Sequence, residues 1–274
     1  MTDTINKTKM PSMEEENFDL EGISSPLIKE MFQAGAHFGY KRSRRHPSTE
    51  KSIFSYRNDN AIINLEKTLK DLTMAEEFLR ELGQSGKKLL LVGNKPEARF
   101  IIKKVAAALE MPYVAERWMG GTFTNFEEIR KRIKRLTEIR DQEASGEINK
   151  YKKKERQMIA KEKKDLERYF DGIVEMKKLP GAMLVIDSKF EETAIKEAKI
   201  TKVPVVSLSG VDCDVAGIEY PIIANDSAKT SIEFFVNRLT AAYVAGQTKA
   251  NQQAVEEAKG EEEKINEKIG VEKV

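Results

Sequence analysis

The chain has 274 residues, 40% hydrophobic and 34% charged, with one Cys, two His and a formal net charge of +2. It can bury a substantial core, as one large domain or as one domain with an appendage. The lone Cys213 excludes an intramolecular disulfide, and no apolar run approaches the ~20 residues of a membrane span.

Residues 1–25 hold two Lys against six Asp or Glu, and 1–24 predict a flexible acidic lead. Lys7 and Lys9 are followed by Glu14, Glu15 and Glu16 rather than an apolar stretch, which fits neither a secretory signal nor a transit peptide. With the single thiol, this predicts a cytoplasmic protein. Ser25-Pro26 predicts a helix start, with Ser as N-cap and Pro at the first helical position. Leu27, Met31 and Ala34 form its face, and Gly35 to Gly39 end it. Residues 37–57 set six Lys or Arg against Glu50 and predict a basic loop, then a short strand around Ile53-Phe54. Arg57-Asn58-Asp59-Asn60 is turn chemistry. Glu66 to Leu82 predicts an amphipathic helix closed by Gly83 and Gly86.

Leu89-Leu90-Leu91-Val92 reads as a buried parallel strand. A helix from Pro96 to Leu109 follows, then a short strand over 112–115. Further strands are predicted over 182–186, 204–208 and 218–223, with helices over 190–199 and 227–247. Strands alternating with helices predict right-handed crossovers and a flavodoxin-like parallel α/β sheet covered on both faces. The tail over 248–274 holds five Lys against seven Glu and has no core face.

Between the second and third of these strands lies a charged insertion, 126–178, with 17 Lys or Arg against 12 Asp or Glu. Phe126, Ile129, Ile133 and Leu136 are spaced three, four, three, and Ile159, Leu166, Tyr169, Ile173 and Met176 return at seven, three, four, three. These narrow seams predict an antiparallel coiled-coil hairpin with Gly146 near its tip. The expected organisation is an α/β domain over 25–125 and 179–247, the hairpin, and the two charged ends.

Catalytic groups are scarce. Val92-Gly93-Asn94-Lys95-Pro96 has the place of a nucleotide-binding turn but neither G-x-G-x-x-G nor Walker spacing. Gly120-Gly121 could form an anion nest or simply a tight corner. His37 sits at a helix end, where capping or packing is its ordinary role. Asp187, Asp212 and Asp214 could cluster past strand ends, but no zinc-ligand spacing or paired acid is present. No catalytic residue, metal or cofactor is expected. A near-neutral chain with two basic zones and two acidic ends points to a polyanion met at chosen faces. The expected RNA contacts are Lys41, Arg42, Arg44, Arg45, His46 and Arg57 in the basic segment. Lys95, Arg99, Arg117 and Trp118 join them in the domain, and Arg130, Lys131 and Lys134 in the arm.

Several of these segments resemble a known family. Met31 to Gly39, Ile62-Ile63-Asn64-Leu65-Glu66-Lys67-Thr68, Arg117-Trp118-Met119-Gly120-Gly121 with Thr124-Asn125, and Leu179-Pro180-Gly181-Ala182 with Val185-Ile186-Asp187 are similar, in order, to motifs of the bacterial ribosomal small-subunit protein S-two family. The resemblance covers about residues 25–247. It implies a flavodoxin-like domain with a coiled-coil hairpin, no enzymatic activity, and binding to small-subunit ribosomal RNA among neighbouring ribosomal proteins. The alternative is a nucleotide-binding α/β enzyme with a regulatory helical hairpin. In some relatives a second His, an Asp after the fourth strand and the Asp matching Asp187 resemble a metal site at the contact with the large S-one protein. Tyr40 and Ser209-Gly210 stand at the first two positions, so the resemblance supports neither the metal nor that contact here.

Overall fold

A computed structural model describes residues 25–271, with side chains described to residue 252. The expected acidic lead lies outside the described residues. Helix α1 (Pro26–Gln33) is followed by strand β1 (Phe38–Lys41), two 3₁₀ turns (Arg42–Arg44 and Pro47–Ser52), β2 (Ile53–Arg57) and β3 (Asn60–Ile63). Then come α2 (Leu65–Gln84), β4 (Leu89–Val92), α3 (Pro96–Leu109), β5 (Tyr113–Val114), α4 (Phe126–Ala144) and α5 (Lys153–Phe170). The chain closes with β6 (Ala182–Ile186), α6 (Glu192–Thr201), β7 (Val205–Ser209), β8 (Tyr220–Ile223) and α7 (Lys229–Val271). Among the described residues no helix is long and apolar enough to cross a membrane.

Five strands form a parallel sheet in the order β5-β4-β6-β7-β8. Numbered along the chain that order is 2-1-3-4-5, the doubly wound flavodoxin-like arrangement. Strands β4, β6 and β7 are buried along their whole length, as apolar runs covered on both faces must be. Leu89, Leu91, Leu184, Ile186, Val206 and Leu208 pack with α2, α3 and α7. At the α2–α7 crossing a Cβ on Gly246 would lie 2.1 Å from the Arg80 carbonyl oxygen, and one on Gly83 2.2 Å from that of Tyr243. Gly83 is therefore a contact residue inside α2 rather than its terminator. Helix α7 also runs past Gln247, where its end was expected, because the Glu/Lys/Ala-rich stretch is itself strong helix former.

The opposite sheet face corrects the picture of the insertion. Leu90, Val92, Met183, Val185 and Val205 are covered by α6, but also by Ile129 and Ile133 of α4 and by Phe170, Ile173 and Met176. Of the expected seam residues on α4, Ile129, Ile133 and Leu136 are buried and Phe126 half-buried, yet the base of the insertion is core and not a self-contained unit. Farther out, Arg135 reaches Glu162 and Arg140 reaches Glu167, each at 3.1 Å, and Lys163 pairs with Glu143.

The basic segment is not a loop. β1, β3 and β2 form a three-stranded antiparallel sheet, with Asn58 and Asp59 at positive φ in the β2–β3 turn. Its inner residues Ala61 and Ile63 pack on Val211 and Ile223, at the carboxyl end of the parallel sheet.

Candidate nucleic-acid interface

The segment from β1 to β2 is pinned to the loop after β7. His46 donates its backbone N–H to the Val211 carbonyl at 2.9 Å, and the buried Thr49 hydroxyl donates to the same oxygen at 2.7 Å. The Arg42 N–H donates to the Asp59 carbonyl at 2.8 Å. These bonds fix a ridge on which Lys41, Arg42, Arg44 and Arg57 are exposed.

Tyrosines order the ridge. Arg42 lies 5.0 Å from the ring centre of Tyr56, and Arg44 5.8 Å from that of Tyr40, within the range of cation–π attraction. Among the described residues neither guanidinium meets a carboxylate. Arg45 differs: it pairs with Glu50 at 2.7 Å and donates to the Tyr56 hydroxyl at 3.3 Å. His46 caps the second 3₁₀ turn, its Nδ1 accepting from the Ser48 N–H. That nitrogen is therefore occupied by the cap and by the Ser48 hydroxyl at 2.8 Å. The stretch predicted as a basic loop is a preorganised array in which, among the described residues, two arginines meet no carboxylate.

Two expected contacts are corrected. Trp118 is 7% exposed and packs edge-on against Phe123, so its ring offers no platform for a base. Its indole N–H donates to Glu197 at 3.2 Å. The same carboxylate accepts from the backbone N–H groups of Gly121, Phe123 and Thr124. The Gly-Gly corner is thus an anion nest whose anion is the chain's own Glu197.

Lys95 is also committed. Its Nζ lies 3.0 Å from Asp187 Oδ2, 3.3 Å from Asp226 Oδ1, 3.1 Å from Ser227 Oγ and 3.3 Å from the Tyr40 hydroxyl. Burial works against its charge, but Asp226 and Asp187 outweigh burial and hold its pKa raised. Such an ammonium is not available to a phosphate. Arg99 is partly spent, donating to the Asn94 carbonyl at 2.9 Å and pairing with Glu116 at 3.3 Å. Arg117 and Arg130 are exposed, whereas Lys131 pairs with Glu128 and Lys134 faces Glu138 along their own helix.

The turn after β4 sits beside β6, at the position where doubly wound sheets receive nucleotides. Here the buried Glu191 accepts from the Asn94 N–H at 2.9 Å and from its side-chain amide at 2.6 Å. With Asp187 and Asp226 at the neighbouring strand ends, the place is lined by carboxylates and repels a phosphate. Asp187 takes a left-handed φ of 67°, and its Oδ1 accepts from the Lys189 and Phe190 N–H groups at the approach to α6.

The residues do not fit a metal either. Among the described residues Asp187, Cys213 and Asp226 bring ligand atoms within 4.8 Å of one another. Lys95, however, already stands between the two carboxylates. Burial, then Asp187 and Asp226, push the Cys213 thiol up to about 12. His37 is outside this group, buried and stacked on Phe32 with ring centres 4.1 Å apart. Asp212 and Asp214 do not join it as expected: Asp212 pairs with Lys189 at 3.0 Å, and Asp214 accepts from the Ala216 N–H.

The family model described as Ribosomal protein S2 matches residues 31–246. The chain belongs to the ribosomal protein S2 family. It is 36% identical over 236 residues to the "Small ribosomal subunit protein uS2" of Helicobacter acinonychis (strain Sheeba), covering 86% of this chain and 96% of that protein. The protein of the same description from Helicobacter pylori (strain Shi470) is also 36% identical over 236 residues, with 89% of its length covered. A ribosomal S2 protein is structural and not an enzyme, so the nucleotide-binding alternative is unsupported. The acid-lined turn after β4 agrees with this.

Asp226, Glu191 and Glu197 were not anticipated. Asp226 follows the end of β8 much as Asp187 follows β6. Glu197 shares the buried face of α6 with Ala194 and Ala198, and an acid on a core face is the signal that could have marked it.

Proposed function

We propose that this ribosomal S2 protein is a structural constituent of the small ribosomal subunit, in the cytoplasm, and grips small-subunit ribosomal RNA through the ridge from Lys41 to Arg57. The supporting observation is the pair Arg42 and Arg44, stacked on tyrosines and, among the described residues, without a carboxylate partner, on a segment bonded to the core. Guanidinium groups held this way neutralise phosphates and position a protein on a backbone without reading its sequence. Lys41 and Arg57 extend the same exposed ridge, and Arg117 and Arg130 are outlying contacts. Neighbouring small-subunit proteins complete its partners, and the outer part of α4 and α5 is a coiled-coil extension of the domain. Contact with the large S-one protein is not included. Binding of the purified protein to small-subunit ribosomal RNA, measured across a salt series, tests the reading. Replacing Arg42 and Arg44 together with Ala is expected to weaken binding and flatten the log–log salt dependence by about 1.4–1.8. An unchanged slope with folding intact would place the RNA contact elsewhere.

A further inference from the structure

The small antiparallel sheet has an inner face that serves the core and an outer face that carries apolar rings into water. Ala61 and Ile63 of β3 pack inward, with Ile53 and Tyr56 of β2 and Tyr40 of β1 against the same cluster. The alternate β3 residues, Asn60 and Ile62, therefore face outward. Ile62 is paired with Phe38 on one side and Ser55 on the other, and Asn60 with Lys41 and Arg57. Directly paired residues share a face. The outer face is thus a row of Phe38, Ile62 and Ser55 beside a row of Lys41, Asn60 and Arg57.

An extra residue in each outer strand sets this face. Ile53 pairs with Ile63 but Ser55 with Ile62, so Phe54 and Ser55 both turn outward while Ile53 and Tyr56 both pack inward. In β1 the same irregularity turns Tyr40 inward and leaves Lys41 outside. Phe54 is 71% exposed and Phe38 55%. They flank Ile62 from opposite sides, two strand spacings or about 10 Å apart. The Phe38 ring is backed by His37 at 4.0 Å, and His37 is itself stacked on Phe32 at 4.1 Å. One side of the Phe38 ring is thereby fixed, and the rest of it meets solvent.

Charge decides what covers these rings. Lys41 and Arg57 lie on the same face, and Arg42 and Arg44 continue the ridge, so the occupant combines negative charge with flat apolar surface. Unpaired RNA has both: its bases stack on aromatic rings and its phosphates meet the cations. A continuous duplex offers the phosphates but keeps its base planes stacked on one another. We infer that the outer face of this sheet is a stacking platform for unpaired RNA bases. Phe54 and Phe38 receive the bases, Ile62 is the floor between them, and Lys41 and Arg57 hold the strand. This rests on the ridge being the RNA contact, and it narrows the ligand to a loop, bulge or junction.

The test uses full-length protein and small-subunit ribosomal RNA across a salt series. Phe54→Ala is expected to weaken binding roughly 5–150-fold, the worth of one stacked base. Its log–log salt slope should stay unchanged, because no phosphate contact is lost. Its melting temperature should also stay, because the ring is exposed. Phe54→Tyr keeps the ring and should bind like the unaltered protein. The Arg42→Ala, Arg44→Ala double variant, measured alongside, separates the two readings. A flattened slope there, with full-strength binding by Phe54→Ala, would overturn the platform and leave the ridge standing. No effect from either would overturn both. Equal losses in Phe54→Tyr and Phe54→Ala would exclude stacking as the cause. A Phe54→Ala protein that binds RNA fully but fails to join the small subunit would assign the rings to a protein neighbour, and the platform would fall.

Discussion

Gly121, at a φ of 92°, aims its N–H at the Glu197 carboxylate from 2.7 Å. That one carboxylate also holds the Trp118 indole and the N–H groups of Phe123 and Thr124, just ahead of the Asn125 N-cap of α4. The angle at which the insertion leaves the domain is therefore set by a buried acid on α6. Glu197→Ala should destabilise by roughly 3 kcal/mol or more, since each buried donor left without a partner costs about 1–3 kcal/mol. A urea unfolding series measures this, and a loss under about 1 kcal/mol would show that the corner holds its shape without the acid.

Stability should fall with rising pH near neutrality. Burial pushes the Glu191 carboxyl up to about 7, with the two Asn94 hydrogen bonds opposing, and burial and then Asp187 push Asp226 up to about 6. Both folded values exceed the unfolded ones, so this contribution is complete below about pH 4 and is lost as pH rises through 6 to 7. Burial lowers the His37 pKa, which acts in the opposite direction below about pH 6.5, so Glu191 is read best from pH 6.5 to 8. Glu191→Gln should flatten that part of the urea-midpoint profile. Asn94 Oδ1 lacks a partner among the described residues and can accept from the new amide once its own amide turns over. A wild-type midpoint that rises over this window would contradict the assignment.

Within the ridge, the arginines should not be equivalent. Arg42→Ala and Arg44→Ala are each expected to lower the salt slope of RNA binding by about 0.7–0.9. Arg45→Ala should lower it by much less, because Glu50 already neutralises that guanidinium. Equal effects from all three single variants would mean that the Glu50 pair opens on binding.

The insertion should tolerate loss of its tip but not of its base. Replacing residues 141–160 with a short Gly/Ser link spares Ile129, Ile133, Phe170, Ile173 and Met176, which cover the sheet. That protein is expected to keep a single cooperative thermal transition. Removing 128–175 takes away the part of that cover that α6 does not supply and should abolish the transition. A cooperative transition in the longer deletion would show that α6 alone can cover that face.

The parallel sheet was legible in the chain because uninterrupted apolar runs such as Leu89–Val92 and Ala182–Ile186 suit only strands buried on both faces. Strand β1 was not, since four residues containing Gly39 carry no usable alternation. Lys95 and Trp118 were misread for a shared reason. Their partners Asp226 and Glu197 lie 131 and 79 residues away in sequence, and only the fold brings them within bonding distance. The basic ridge was legible as charge, but the distinction between Arg42 and Arg45 depends on where Tyr56 and Glu50 come to rest.

The glycine contact between α2 and α7 places the burial of one sheet face on a clock. Helix α2 is complete when residue 84 has been made, whereas the residue that closes against it, Gly246, comes 162 residues later. At synthesis rates of ~5–20 residues per second, roughly ten to thirty seconds pass between the two. Throughout that interval the apolar stripe of Leu72, Ala75 and Leu79 is without its final cover. A ribosome making this protein therefore carries an unfinished core until α7 has been made, and a chain cut short before α7 cannot complete the fold.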